Sequence, residues 1–401
     1  MTSLHLINAR LPDRPGTWQL TWADGHLTHW HPMTEAVAPD PATSVLDVGG
    51  DWISPGGVDL QINGALGLAF PDLAIAHLPT LEKICDALWQ QGVDGFCPTL
   101  VTTSLENIHR ALATIARFME QRGDRAGKLL SNTAEILGVH LEGPFLNPEK
   151  RGAHPAEHLR SLTLDEVKRV LGDEGDRVTI MTLAPELNEA GNVIPYLVDL
   201  GITVSLGHSQ ATDAQANTAF DQGATMVTHA FNAMPGLHHR QPGLLGAAIA
   251  HPSVSCGVIA DGVHVAPTML DVLIRSGRGG RSPSPYPAGL FLVSDALSPL
   301  GLPDGRYPWD EREIEVTQGT ARLPDGTLSG TTLPLLTGVE NLVNWGICVA
   351  EDAIALATLA PRYAIHRASS PWEGPLHLLR WSMGISEASP ATHLTWKRIT
   401  P

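Results

Sequence analysis

Ile202-Thr-Val-Ser-Leu-Gly-His-Ser-Gln-Ala-Thr-Asp-Ala-Gln-Ala-Asn-Thr-Ala-Phe-Asp-Gln-Gly-Ala-Thr-Met-Val-Thr-His229 is the stretch whose reading decides the fold class. Residues 202–206 and 224–228 are short β-prone runs, and residues 211–222 between them read as a helix. Strands joined through a helix run parallel, because the crossover carries the chain back along the sheet. The same rhythm extends both ways. Strand-like runs occupy residues 57–62, 93–100, 135–141, 178–183, 254–260 and 290–293, with helical patterns over 78–91, 106–122 and 267–276. Counted together they give eight strands, so the expected fold is α/β, a TIM-like (β/α)8 barrel. A doubly wound open sheet is the alternative, but no G-x-G-x-x-G follows the first strand.

Outside that rhythm the pattern changes. Residues 4–8, 18–22, 26–31 and 45–48 are β-prone, with Asp24-Gly25 marking a hairpin. The tail after Ser369 ends in a strand-like run over 393–399. Pairing of that end with the first fifty residues predicts a small β-sandwich domain built from residues 1–53 and 369–401, beside a barrel over 54–368. Residues 277–287, rich in Gly, Arg, Ser and Pro, read as a surface insertion. Asp304-Gly305 and Asp325-Gly326 mark hairpins within 302–330, and residues 333–360 are helical again.

Composition narrows the function classes. The 401 residues are 43% apolar and 17% charged, which is globular rather than disordered. A net charge of −16 argues against nucleic acid or an anionic membrane as the main partner, yet a few focused basic groups could still hold a small anion. No 18-residue apolar stretch occurs, and Met1–Arg10 lacks a basic segment followed by a long apolar one. Cys85, Cys97, Cys256 and Cys348 are scattered, without a C-x-x-C pair, which favours a reducing compartment. The expectation is a soluble, cytoplasmic protein.

The chemistry gathers just after the predicted strands. Glu142 follows the run at 135–141, His208 the run at 202–206 and His229 the run at 224–228, while His264 and Asp295 follow the last two. In a (β/α)8 barrel those ends converge on one mouth. Glu142, His208 and His229 then form an N/N/O set suited to Zn²⁺ with a position open for water. Such an ion makes its water more acidic and polarises a carbonyl. Asp295 is placed to take the proton from that water and pass it to a leaving nitrogen. Singly, each group has a plainer explanation: Glu142 as a helix N-terminal carboxylate, Asp295 as an N-cap, either His as a packed residue. Their joint occurrence after separate strands favours one shared site.

The runs Pro55-Gly-Gly-Val-Asp-Leu-Gln-Ile-Asn63-Gly, His140-Leu-Glu-Gly-Pro-Phe145, Lys150-Arg-Gly-Ala-His154-Pro, Gly207-His-Ser, Thr228-His-Ala-Phe-Asn-Ala-Met234, Arg240-Gln-Pro-Gly243, Ala260-Asp-Gly-Val-His264 and Val293-Ser-Asp-Ala296 resemble the N-acetylglucosamine-6-phosphate deacetylase family of the amidohydrolase superfamily. The likeness spans roughly residues 47–365. It implies that Glu142, His208 and His229 hold the metal, that Asp295 is the catalytic aspartate, and that His154 helps polarise the acetyl carbonyl. It also implies that His264, Arg240 and the Asn232-Ala233 backbone hold a sugar phosphate. In the family that arginine reaches across from the neighbouring subunit of a homodimer. On residue type alone, Arg240 could equally be a surface arginine and His154 an exposed loop histidine.

One departure from the wider superfamily is informative. Where many members carry His-x-His on the first strand, this chain has Gln61 and Asn63, and the run at 178–183 has no Lys. Amides are poor ligands beside imidazole, so one metal per subunit is expected. Some deacetylases of the family share the Gln/Asn pair, and the two amides could hold an ordered water. The expected activity is hydrolysis of N-acetylglucosamine 6-phosphate to glucosamine 6-phosphate and acetate. The alternatives are another N-acyl substrate, such as N-acetylgalactosamine 6-phosphate, and a non-catalytic sugar-phosphate-binding protein. The insertion at 277–287 and a short C-terminal part are the departures that bear on the pocket rim and the dimer.

Overall fold

The computed structural model describes residues 3–35, 37–38, 43–123, 132–278, 289–365, 372, 377–386 and 389–399. Eight parallel strands form the barrel: β1 (Gly57–Ile62), β2 (Val93–Val101), β3 (Val139–Glu142), β4 (Val178–Leu183), β5 (Thr203–Leu206), β6 (Met226–Val227), β7 (Ser255–Val258) and β8 (Leu290–Leu292). Each pairs with its successor in the chain. The ring closes past β8, where Ala296 bridges Ile62 in parallel and the Asp295 N–H donates to Gln61 O at 2.9 Å. Residues 57–62 are buried throughout, as a strand covered on both faces must be.

The run at 135–141 is not one strand. Residues Glu135–Ile136 pair with β2, the chain turns at Gly138 (φ 111°), and β3 then begins. A Cβ at Gly138 would lie 2.0 Å from Thr179 Oγ1, so the close approach to β4 requires glycine. The helical stretch at 333–360 is likewise three helices, Leu335–Asn344, Ala350–Thr358 and Ala360–Ala364, with Gly346 (φ 71°) in the first break. Helices Leu164–Leu171, Val193–Asp199 and Gly243–Ala250 complete the outer layer where no helix was expected. The first is short and depends on its Thr163 cap; the last is apolar nearly all round and shows no amphipathic period. Of the insertion at 277–287, residues 279–287 lie outside the described residues; helix Pro267–Arg278 leads up to it.

Besides a two-stranded ribbon just after β1 (Gly64–Ala65 with Leu68–Ala69), two larger sheets flank the barrel among the described residues. Strands Gly305–Trp309, Arg312–Thr317, Thr320–Arg322 and Leu328–Thr331 form an antiparallel sheet between β8 and the last helices; Asp325-Gly326 lies in the turn between its last two strands as expected, whereas Asp304-Gly305 only leads into the first strand and the first hairpin turns at Asp310-Glu311. The terminal strands form a seven-stranded sheet in which Leu378–Ser386 pairs with Trp52–Pro55, so both ends of the chain meet. Leu6, Leu20, Ile53 and Leu378 are fully buried there against Ala355 and Leu359 of helix Ala350–Thr358 and its C-cap. At the foot of β2, Arg398 donates to Asp94 at 2.8 Å and ties the last strand to the barrel. Among the described residues no helix is long and apolar enough to cross a membrane.

Candidate active site

The strand ends do converge. Glu142 is the last residue of β3, His208 stands two residues past β5, and His229 two past β6. Asp295 follows β8, across the closing seam from Gln61 on β1 and Asn63 just after it. At these ends the backbone turns sharply. His208 (φ 49°), His229 (φ 29°), Phe231 (φ 75°), Ala233 (φ 53°) and Asp295 (φ 48°) all adopt left-handed conformations that cost L-residues about 1–3 kcal/mol each. Such residues persist only where the surrounding structure holds them, and here they gather at one rim.

Glu142 Oε1 lies 3.1 Å from His208 Nε2 and 3.1 Å from His229 Nε2, and the two Nε2 atoms are 3.0 Å apart. All three side chains are buried. Lys150 O sits 2.9 Å from His208 Nδ1 and can only accept, so Nδ1 carries a proton and Nε2 is the ring nitrogen turned inward. A lone pair facing a carboxylate and a second ring nitrogen is repulsive unless a cation or a shared proton lies among them. The donor set therefore fits a divalent metal. In the metal-free cluster, burial opposes charge on His229, but the Glu142 carboxylate overrides it and raises the imidazole pKa. Glu142 is likewise pushed up by burial, yet held well below the usual carboxylate range by the two imidazoles.

Gln61 and Asn63 fill the seam. Gln61 Nε2 donates to both Glu142 oxygens at 3.1 Å and to Asp295 Oδ1 at 3.3 Å. Asn63 Nδ2 donates to Asp295 Oδ1 at 2.8 Å. Burial first, and then the Glu142 charge, push the Asp295 carboxyl up to about 7. A carboxyl in that range exchanges a proton readily near neutrality.

His154 is buried, not an exposed loop residue, and its ring centroid is 4.5 Å from that of His208. Its Nδ1 accepts from the Thr102 backbone N–H at 3.3 Å and lies 2.9 Å from the Thr102 hydroxyl. The neutral ring therefore carries its proton on Nε2. Burial, then the neighbouring His208, hold its pKa down to about 3, so His154 is a neutral N–H donor. His264 is oriented by Asp261, whose Oδ2 lies 2.7 Å from His264 Nδ1 and whose Oδ1 accepts the His264 N–H at 2.8 Å. Asn232 Nδ2 donates to His229 O at 3.2 Å, and Ala233 O accepts from the Ser209 N–H at 3.1 Å, which fixes that turn. Arg240 does not join the cluster within one chain: it is exposed and contacts His239 of its own loop at 2.8 Å.

Three supporting residues escaped the sequence reading. Thr102, just past β2, sets the His154 tautomer. His140, two residues before Glu142 on the same strand face, lies 2.9 Å from Leu60 O and 2.7 Å from Thr182 Oγ1, whose hydroxyl chain continues to Thr228 and Ser205. Asp59 accepts from the Ser294 N–H at 3.1 Å and the Gln61 N–H at 3.3 Å. For His140 and Asp59 the one signal was a polar or charged side chain on a buried strand; Thr102, past the end of β2, gave none.

The amidohydrolase family profile matches residues 52–368. The N-acetylglucosamine-6-phosphate deacetylase of Bos taurus is 41% identical over 79% of this chain and 75% of its own length. The N-acetylgalactosamine-6-phosphate deacetylase of Escherichia coli O157:H7 is 33% identical over 89% of this chain and 88% of its own. Among solved structures, a mutant N-acetyl-D-glucosamine-6-phosphate deacetylase of Mycobacterium smegmatis, in complex with N-acetyl-D-glucosamine 6-phosphate, superposes with a TM-score of 0.79 at 26% identity and covers 94% of both chains. With its barrel mouth built from the same runs that carried the resemblance, the chain belongs to the amidohydrolase family and stands with its N-acetylglucosamine-6-phosphate deacetylases.

Proposed function

We infer that this chain hydrolyses the acetamide of N-acetylglucosamine 6-phosphate, giving glucosamine 6-phosphate and acetate. The observation that carries the reading is the buried Glu142–His208–His229 triangle with Asp295 tied to its carboxylate through Gln61. Glu142, His208 and His229 would hold one divalent ion per subunit, foremost Zn²⁺. When bound, it supplies Lewis-acid polarisation and a more acidic water.

The chain's own groups do the rest. Asp295 takes the proton from the attacking water and returns it to the amine nitrogen as the C–N bond breaks. His154 offers its Nε2 proton to the carbonyl oxygen as negative charge develops there. Gln61 and Asn63 fix the Asp295 carboxylate. His264 and the Asn232-Ala233 backbone hold the sugar phosphate, and Arg240 closes on the phosphate of the neighbouring subunit's site in a homodimer. An arginine fork suits a phosphate dianion and offsets the net negative field locally. The same reading divides the chain into a β domain (1–53 with 369–401) and a hydrolase barrel (54–368), in a cytoplasmic enzyme.

Acetate release by zinc-supplemented protein tests this, with N-acetylglucosamine 6-phosphate, its galacto epimer and unphosphorylated N-acetylglucosamine compared, each with a chelated control. Chelator-sensitive release from the first substrate above the others is the expected result. Preference for the galacto epimer would favour the second reading, which the Escherichia coli relative motivates. No release from any of them would overturn both.

A further inference from the structure

The four-stranded sheet over 305–331 is an insertion beyond the barrel repeat, and its apolar core is incomplete by itself. Trp309, Ile314, Val316, Ala321 and Leu323 pack with two residues from outside the sheet, Ala153 and Leu297. Ala153 immediately precedes His154, and Leu297 stands two residues after Asp295. The sheet thus closes its core on the chain neighbours of both groups that the deacetylase reading makes the proton-handling pair.

Polar contacts join the same two places. Arg312 Nη2 donates to Ala153 O at 2.8 Å. Arg312 is itself fixed, with Nε donating to Asp310 Oδ1 at 2.9 Å, a further close contact from Nη2 to Asp310, and the guanidinium 4.8 Å from the Trp309 ring centre. Arg151 Nη1 supports the same turn by donating to His154 O at 2.7 Å. On the other side Thr331 accompanies the Asp295 segment. Its N–H donates to Asp295 O at 3.0 Å, its O accepts from Leu297 N–H at 2.9 Å, and its hydroxyl donates to Ser294 O at 2.8 Å. A Cβ on Gly330 would lie 2.6 Å from Asp295 O, so this strand lies against the backbone as closely as glycine allows.

We propose that this sheet is a rigid gauge that sets His154 and Asp295 relative to each other, with Arg312 the positioning residue for His154 and Thr331 the positioning residue for Asp295. Neither needs to touch substrate. A side chain misplaced by about 1 Å can cost roughly 100-fold in rate, so a backbone carbonyl held by a pinned guanidinium is enough to matter. The inference rests on the deacetylase reading for its kinetic effect, but not for its structural one.

The test uses the full-length metal-loaded enzyme. In Arg312→Ala, kcat is expected to fall about 10- to 100-fold with KM and metal content nearly unchanged. Arg312→Lys, which keeps one donor for Ala153 O but loses the fork on Asp310, recovers part of that loss. Arg306→Ala, on the exposed side of the same sheet, leaves kcat unchanged. Amide hydrogen exchange over residues 151–154 quickens in Arg312→Ala, while that of the barrel strands does not. Unchanged kcat in folded, metal-loaded Arg312→Ala overturns the proposal. So does a kcat loss with unaltered exchange at 151–154, since Arg312 would then act on substrate directly. If Arg312→Ala does not fold, the shape-conserving Thr331→Val carries the test, and an unchanged kcat there is equally fatal. Inactive wild-type protein on every substrate would sink the deacetylase reading, and the exchange measurement would still decide the structural one.

Discussion

Asn63 donates its side-chain N–H to Asp295 Oδ1 at 2.8 Å, across the seam where the first barrel strand meets the segment after the last. A second donor, Gln61 Nε2, reaches the same oxygen at 3.3 Å. Both stabilise the ionised form of a carboxyl that burial and Glu142 push up to about 7.

Asn63→Leu should therefore move the acid limb of the pH–rate profile upward. A base works only when ionised, so activity falls as pH drops through its pKa. Removing the Asn63 donor leaves the carboxylate less stabilised and raises that pKa further. The measurement is kcat/KM against pH for the wild type and the variant. An acid limb that stays in place would mean that another group titrates there.

Asp295→Asn keeps the shape and the approach of Gln61 and Asn63 but cannot take a proton. Loss of general acid–base catalysis by about 10²- to 10⁴-fold is expected, with the metal retained, because Asp295 is outside the Glu142–His208–His229 triangle. Metal analysis beside single-turnover acetate release checks both halves. Full activity would remove Asp295 from the mechanism.

Metal removal should destabilise the protein as well as silence it. Ligand binding to the folded state alone contributes about 2.7 kcal/mol at a free concentration of 100 Kd. The stability of the chelated protein should also depend on pH through His229, whose pKa is raised in the fold. That contribution is fully present below the unfolded value of 6.5 and is lost as pH rises through the higher folded one. Thermal melts with and without chelator, from pH 6 upward, read both effects. Identical melting with and without chelator would leave the triangle without a bound ion.

The barrel was legible because period and punctuation agree: β1 and β4 run over the residues that the strand-like runs predict, and Glu142, His208, His229 and Asp295 stand at or just past strand ends. Less visible were features set by tertiary contact. Gly138 breaks one apparent strand because β4 leaves no room for a Cβ, and the lone glycine inside the run was its one local signal. Helix Gly243–Ala250 is apolar on every side and has no amphipathic signature. In the site, Glu142, His208, His229 and Asp295 were readable from position. Asp59, Thr102 and His140 were not, since each acts through a backbone group or hydroxyl brought near only by folding.

Asp59 offers the sharpest test of that hidden layer. It is buried and accepts from the Ser294 and Gln61 backbone N–H groups, and burial pushes its carboxyl up to about 7 despite those hydrogen bonds. A folded pKa above the unfolded value means that the native state holds the proton more tightly. The cost of ionising Asp59 is absent below pH 3.8, grows as pH rises towards 7 and is fully present above it. Over that interval it amounts to roughly 4 kcal/mol. Asn in its place keeps an acceptor for Ser294 and Gln61 without a charge to bury. Asp59→Asn should therefore be more stable than wild type at pH 8 and close to it at pH 4, with the seam and the Asp295 segment intact. Denaturant unfolding at the two pH values measures this. A variant no more stable at pH 8 would show that Asp59 is ionised at little cost, with its hydrogen bonds compensating for burial.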